Sequence, residues 1–515
     1  MTRPPGTAAG HSAHWADAVA AQLAERGGRQ EISTGISPSG PIHVGNLREV
    51  MTADVLYRAL RDLGKEAGFH FVADNFDPLR RVYPFLDAAV YAPLVGRPLS
   101  EIPCPCGQHS DYGDHFLQPF LESLKRLGID VRLVRGDALY KSGKMNGVIV
   151  EALEGRDRVA LILREVTGKQ VEPEWSPFDP LCPSCGRLTG TTVTGFSKMD
   201  ATVGFRCDCG ASGSVPMAGG GKLTWRVDWP ARWKVLGVTA EPFGKDHATA
   251  GGSYDTGKRI AREVFGIEPP FPVTYEWISL KGQGDMSSSK GNVVSTDRML
   301  KVVPPEVLRY LIVRTPPERS IAFDPGLPLL SLVDEYDDVE AAGRDLRALA
   351  LSRASNYRPV GVPFKHLVNV VQMANFDFRR VLEILSRGGY ATPDEETLRE
   401  RSEYARRWLE EFAPADMKFS LQASLPAEAA QLTPAQKEFL RRAAGRIEKG
   451  MAAEAIHERV YQAAGEVEGL KPAEAFQAIY LALLGTRRGP RVGWFLSILD
   501  HDWVIRRLQE AAGTS

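Results

Sequence analysis

The sequence predicts an α/β protein in which a doubly wound parallel sheet, interrupted by a small cysteine-rich insertion, is followed by an all-α C-terminal region. Three observations predict it. Residues 31–73 read as strand, glycine-rich loop, helix and strand, the opening of a parallel α/β unit. The same alternation returns over 114–134. Beyond about Leu330 the apolar residues recur almost entirely at helical spacing. A chain of 515 residues exceeds what one hydrophobic core organises. The expected division is a tail and helix over 1–30, the α/β domain over 31–320 with the insertion at about 90–220, and the helical region over 321–515.

Each element has its own signal. The opening MTRPPGTAAGHSAH reads as a loose tail. Trp15, Val19 and Leu23 fall at helical intervals, and Gly27-Gly28 ends that helix. Residues 31–36 form a short strand and 37–41 a Pro/Gly/Ser loop. Over 45–63, Leu47, Val50, Met51, Val55 and Leu60 repeat with helical period, and 68–73 follow as a buried strand. A helix over 114–127 precedes a strand over 131–134. Residues 176–218 change character to cysteine pairs, glycines and short β-like runs, the inserted module. A strand over 273–280 leads into the loop 281–292, and 304–313 reads as a helix with proline in its first turn.

Composition bounds the function. Hydrophobic residues at 43% and charged residues at 25% are ordinary for a globular protein. The 63 basic and 64 acidic residues cancel, so any nucleic-acid contact must come from a local surface. No stretch is apolar enough to span a bilayer and the first thirty residues lack a signal-peptide core, which sets the expectation of a cytoplasmic protein. The six cysteines lie in two short clusters, Cys104/Cys106 and Cys182/Cys185/Cys207/Cys209. In such a chain that pattern favours thiolate metal sites over disulfides.

Two segments carry chemistry. The first runs Thr34-Gly35-Ile36-Ser37-Pro38-Ser39-Gly40-Pro41-Ile42-His43-Val44-Gly45-Asn46, between a strand and a helix. A helix start offers free N–H groups and a positive dipole end to a phosphate. Gly45 leaves room for an adenine or ribose against the backbone, and His43 can donate to charge developing on phosphoryl oxygens. The second is Gly284-Asp285-Met286-Ser287-Ser288-Ser289-Lys290-Gly291-Asn292, a glycine-flanked loop whose lysine and hydroxyls can wrap a triphosphate. Alone, the first also suits a helix-capping histidine and the second a solvated polar loop. Together, in this order and on this topology, they point to ATP.

The pair resembles the HIGH and KMSKS signatures of class I aminoacyl-tRNA synthetases. The longer phrases TGISPSGPIHVGNLRE, ADNFDPLRRVYP, TWRVDWPARWKVLGVTAEPFGKDH, GGSYDTG and DMSSSKGN resemble class I lysyl-tRNA synthetases, over much of residues 30–310. That resemblance implies a Rossmann-like catalytic domain and ATP-driven joining of L-lysine to tRNA(Lys) through lysyl-adenylate. It implies catalytic roles for His43 and Lys290. ATP would be held by Pro38, His43, Gly45, Asn46, Asp246, Met286, Ser287, Ser288, Ser289 and Lys290, with Mg²⁺ on the phosphates. It implies a lysine pocket of Gly35, Ser37, Asp74, Trp225, His247 and Tyr275. An ammonium over Trp225 or Tyr275 would gain about 0.5–2 kcal/mol by cation–π attraction. Trp229 and Trp233 are read as a packing stripe. Two departures mark the subtype. Asn46 stands where HIGH has its second histidine, and Asp285 and Ser288 stand where KMSKS has lysines, leaving Lys290 as that segment's cation.

Cys182, Cys185, Cys207 and Cys209 form two chelating pairs suited to a closed tetrahedral zinc site. Cys104, Cys106, His109 and His115 are candidates for a second. In the helical region Arg487-Arg488 with Trp494-Phe495 is the better candidate for stacking on unpaired anticodon bases, whereas Arg441-Arg442 reads as a solvated helical face. A monomer is expected. Two rivals remain: a catalytically silent paralogue acting as an RNA-binding or regulatory protein, and an adenylate-forming enzyme charging lysine onto an acceptor other than tRNA. Retention of His43, Asp74 and Lys290 argues against the first, and the helical half against the second.

Overall fold

In the computed structural model, residues 14–282, 284–286, 293–355, 357–391 and 394–513 are described. Three strands open the chain: β1 (Gln30–Ile36), β2 (Ala67–Ala73) and β3 (Arg132–Arg135). Five short ones follow, β4 (Phe178–Pro180), β5 (Thr191–Ser197), β6 (Thr202–Cys207), β7 (Ser212–Pro216) and β8 (Gly221–Leu223). Then come β9 (Ala240–Gly244) and β10 (Phe271–Tyr275). The central sheet has the order β10-β9-β1-β2-β3, with every pairing parallel. The chain therefore winds outward from β1 through β2 and β3, then returns to the other side of β1 with β9 and β10. The order reverses between β1 and β9, which is where ligands bind in sheets of this kind.

The helix Val44–Asp62 packs on this sheet and shows why the local sequence folds as it does. Leu47, Val50, Met51, Val55 and Leu60 are all buried, as their spacing predicts. The Asn46 side chain accepts a hydrogen bond from the His43 N–H at 3.2 Å and so closes the helix start. Arg48 is buried and donates to the carbonyls of Ile312, Thr315, Pro316, Pro317 and Arg319 at 2.9–3.5 Å. That fan of bonds ties the loop after the helix Pro305–Val313 to the same element.

Two expectations change. The run 273–280 is not one strand: β10 ends at Tyr275, and Ile278–Leu280 pairs in parallel with Ile321–Phe323 in another sheet. The break is set by the Glu276 N–H, which donates to the Pro317 carbonyl at 2.7 Å instead of continuing the ladder. The insertion expected at 90–220 also contains a piece of the central sheet, because β3 pairs with His70–Ala73 of β2. What stands apart is the antiparallel sheet β5-β6-β7 and the two-stranded pair β4-β8.

The chain divides into two units. One takes in everything up to Leu300, then Pro305–Phe323 and a segment beginning at Asp345; the other holds Lys301–Pro304, Asp324–Arg344 and the chain from Tyr357 onward. Among its described residues the second unit contains helices and no strand. Arg441, Arg442 and Arg446 pair there with Glu438 and Glu466 on solvated faces, as expected. The Arg487 segment differs from expectation. Arg487 and Arg488 are exposed, but Phe495 is fully buried and Trp494 packs against His366 at 4.4 Å. Phe495 therefore serves the helical core, while half-buried Trp494 packs on His366 at its edge.

Candidate active site

A pocket opens at the reversal between β1 and β9. Ser33, Thr34 and Gly35 line it from β1, Glu241, Pro242 and Phe243 from β9, and Glu49 from the helix Val44–Asp62. The helix Trp225–Leu236 adds Trp225, Trp229, Arg232 and Trp233, while Asp74 and His247 complete the wall. Trp225 stacks on Trp229 with ring centres 5.5 Å apart and planes 12° from parallel, and His247 packs 5.4 Å from Trp229. The cavity between these groups is 40 Å³, room for a few waters. Trp225, which is 36% exposed, and half-buried His247 are its most exposed aromatic walls.

Two carboxyl groups face this aromatic box. Glu49 accepts from the Gly35 N–H at 2.9 Å and from the Tyr275 hydroxyl at 2.8 Å. Burial pushes its carboxyl up to about 8, against the lowering effect of those two donors. Glu241 accepts from the Trp229 indole at 2.9 Å and from the Trp233 indole, and burial pushes it up to about 7. Trp229 and Trp233 are buried, as a packing stripe requires, yet they also line the pocket and fix Glu241. Asp74 differs from both. Burial works against its charge, but Arg232 at 2.8 Å and Lys222 at 3.3 Å overcome this and hold it below its usual range. Its negative charge is already matched. Ser37 is hydrogen-bonded to Asp77 and is not among the lining residues.

Glu49, Glu241, Lys222 and Arg232 were not singled out from the sequence. Glu49, Arg232 and Glu241 lie within the phrases that carry the resemblance, so a signal existed. What was missing is the three-dimensional reason for a carboxylate on the second turn of that helix.

The phosphate end is built around His43. It is 8% exposed, its Nδ1 has no hydrogen-bond partner among the described residues, and burial lowers its pKa to about 4, so the ring is neutral near pH 7. A Cβ at Gly45 would sit 2.8 Å from that nitrogen, so glycine is the residue that leaves the ring in place. Pro38 is buried in the preceding loop. Asp246 is exposed in the short helix Lys245–Ala248, 3.8 Å from His247. Ser287, Ser288, Ser289 and Lys290 lie outside the described residues. Both flanks of their loop are described and reach the same place. Met286 is buried, with its methyl 3.5 Å from the Cβ position of Gly45. On the far side, the Val44 N–H donates to the Val294 carbonyl at 3.0 Å, and His43 bridges Ser295.

Both cysteine clusters fit a tetrahedral ion. Cys182 and Cys209 have their sulfurs 3.6 Å apart, Cys185 and Cys207 3.7 Å apart, and all four lie within 4.8 Å of one another. Zn–S bonds of about 2.3 Å at the tetrahedral angle require about 3.7 Å between sulfurs. In the other cluster Cys104 and Cys106 are 3.4 Å apart, and each lies 3.3–3.6 Å from the Nδ1 atoms of His109 and His115. Mixed Zn–S and Zn–N bonds need about 3.5 Å for those pairs.

The family profile described as tRNA synthetases class I (K) matches residues 13–357, and an anticodon binding domain profile matches 395–512. The chain belongs to the class I tRNA synthetases (K). Curated relatives agree over the full length. A lysine–tRNA ligase of Methanosarcina barkeri is 51% identical, covering 98% of each chain. One of Archaeoglobus fulgidus is 51% identical over 97% of this chain and all of its own, and one of Thermoplasma volcanium 40% identical over 97% and 99%. This synthetase is therefore an aminoacyl-tRNA ligase with its pocket at the sheet reversal. Among the described residues no helix is long and apolar enough to cross a membrane.

Proposed function

We propose that this synthetase joins L-lysine to tRNA(Lys). Lysine attacks the α-phosphate of ATP to give lysyl-adenylate and pyrophosphate. The lysyl group then passes to the terminal adenosine of tRNA, releasing AMP. The observation that carries the lysine assignment is Glu49: a half-buried, desolvated carboxyl, raised to about 8, that lines the aromatic box. A desolvated carboxyl in that state gains most from a ligand that brings its own positive charge. The ε-ammonium of lysine does so, while Trp225, Trp229 and His247 cover its methylenes. Asp74, matched by Arg232 and Lys222, takes an indirect part.

The geometry around His43 supports the rest. Neutral His43 and the Gly45 N–H donate to the triphosphate, with Asn46 and Pro38 shaping the floor. Asp246 meets the ribose. Met286 anchors a loop whose Ser287, Ser288, Ser289 and Lys290 wrap the β- and γ-phosphates, and Mg²⁺ rides on the phosphates. Most of the rate then comes from positioning and charge stabilisation. Zinc held by Cys182, Cys185, Cys207 and Cys209, and by Cys104, Cys106, His109 and His115, supplies structural bracing. Residues 31–320 act as the catalytic domain, the insertion within 90–220 guides the acceptor end, and 321–515 receive the anticodon arm. The reading places the protein in the cytoplasm as a monomer. A charging assay with each of the twenty amino acids against total tRNA tests it. Lysine alone should be esterified, and preference for any other amino acid overturns the assignment.

A further inference from the structure

A buried ionic cluster adjoins the amino-acid pocket and shares Asp74 and Arg232 with its wall. Its centre is Lys222, 4% exposed, on β8 at the root of the cysteine-rich insertion. The ammonium is bonded to Asp77 and lies 3.3 Å from Asp74 and 3.4 Å from Asp228. Arg232 shares Asp74 at 2.8 Å and Asp228 at 3.4 Å. Asp228, fully buried, also accepts from the Tyr140 hydroxyl at 2.6 Å, and that hydroxyl accepts from the Leu223 N–H. Two cations thus serve three carboxylates, of which Asp74 and Asp228 are buried and Asp77 is partly exposed.

The placement of these carboxylates gives the cluster a task beyond stability. Asp74 directly follows β2 and lines the pocket; Asp77, three residues on, accepts from the hydroxyl of Ser37, which directly follows β1. Asp74 and Ser37 thus lie at the carboxyl ends of the neighbouring strands β2 and β1, beside the binding crevice. Lys222 itself comes from elsewhere. It stands opposite Asp179 in the β4–β8 pair, and the Leu181 N–H donates to the Gly220 carbonyl at 2.9 Å one residue before Cys182. Buried ion clusters are weak sources of stability, since apolar residues of like volume often do as well. Their value lies in holding one arrangement of charge.

We propose that Lys222 is a positioning residue of the amino-acid pocket. Its ammonium, held among Asp74, Asp77 and Asp228, fixes the Asp74 carboxylate directly and the Ser37 hydroxyl through Asp77. The root of the insertion thereby sets how tightly lysine is held. The same contact matches the charge of Asp74, which directs an incoming ε-ammonium to Glu49 and away from the back of the pocket. This rests on the lysine–tRNA ligase reading.

The test is steady-state charging of tRNA, with KM determined separately for lysine, ATP and tRNA. Lys222→Met is expected to raise the lysine KM about ten-fold or more, leaving the ATP and tRNA values within about two-fold, as loss of a partner to buried charge implies. Lys222→Met/Asp77→Asn removes a cation and an anion together. It keeps the balance needed for folding, and should recover part of the loss while its lysine KM stays about three-fold above wild type. An unchanged lysine KM in a folded variant, or a parallel rise for ATP and lysine, overturns the role of Lys222 and leaves the ligase reading standing. A double variant no better than Lys222→Met also overturns it. A wild-type protein that does not charge tRNA with lysine overturns the ligase reading and this proposal together.

Discussion

The Tyr275 hydroxyl donates to Glu49 Oε2 at 2.8 Å, joining the last residue of β10 to the helix that begins at His43. The Gly35 N–H holds the other oxygen of the same carboxyl, so one side chain gathers two strands and the helix at the reversal of the sheet. In this protein the substrate pocket and the packing of the fold share one group.

Glu49→Gln keeps the shape and one acceptor oxygen for the Gly35 N–H, turns its amide N–H₂ toward the Tyr275 oxygen, and removes the charge an ammonium would meet. Truncating one partner of a buried charge pair costs about 2–5 kcal/mol, and about 1.4 kcal/mol is a factor of ten. The lysine KM should therefore rise about 100-fold or more, with the ATP KM little changed. A shift of less than three-fold would remove Glu49 from ammonium recognition.

Lysine binding should release a proton near pH 7. With its pKa raised to about 8 by burial, the Glu49 carboxyl is largely protonated at that pH in the free protein. An ammonium beside it stabilises the ionised form, so up to about one proton leaves per lysine bound. Calorimetry in buffers of different ionisation enthalpy reads this directly, and the release should vanish in Glu49→Gln. The same shifts set a stability trend. Glu49 at about 8 and Glu241 at about 7 both lie above the unfolded value of 4.5. Their contribution is fully present below that value and is lost as pH rises through 7 and 8. Added lysine should flatten the fall in melting temperature over that window.

Lys290→Ala and Gly45→Ala separate the phosphate end from the lysine pocket. Lys290 is the cation of its loop, and a methyl at Gly45 would displace the neutral His43 ring 2.8 Å away. Each variant should lower the rate of adenylate formation about 100-fold, the scale seen on removing one preorganised donor, while the lysine KM stays close to wild type. Equal loss in both quantities would count against the assignment.

Tryptophan emission should report occupancy of the pocket. Trp225 stacks on Trp229 beside His247 around a cavity of 40 Å³, so admitting lysine should alter that stack. Saturable change in fluorescence with lysine, lost in Trp225→Phe, is the expected result; an invariant spectrum at saturating lysine contradicts it.

Metal analysis should find two zinc ions per chain, one for each cluster with tetrahedral spacing. Cys182→Ser should remove one and lower the melting temperature of the insertion, because Cys182 and Cys207 are part of its core. Cys104→Ser should remove the other alone. A fully folded protein without zinc would refute both sites.

Much of this was readable in the sequence, for physical reasons that differ by element. The helix from Val44 and the buried strand β2 followed from apolar spacing, which reports a buried face directly. The cysteine clusters followed from short chelating spacings, and their geometry agrees to within a few tenths of an ångström. The run 273–280 misled because strand propensity continues across Glu276, while the Pro317 carbonyl that interrupts the ladder is distant in sequence. Trp494 and Phe495 misled because adjacency to arginines says nothing about which way a ring faces.

The sequence by itself determined the family-bearing phrases, the α/β-then-α order, the His43 and Gly45 helix start and both chelating sets, since each depends on residues close together in the chain. Only the tertiary structure decided which carboxyl is available to a cation. Asp74 and Glu49 are equally acidic on paper. Folding brings Arg232 and Lys222 from a helix and a strand elsewhere to match the first, and surrounds the second with Gly35, Tyr275 and tryptophans that desolvate it with no cationic partner among the described residues. Desolvation and charge pairing act through space, and so the proposed lysine pocket took shape only when β1, β9 and their helices were assembled.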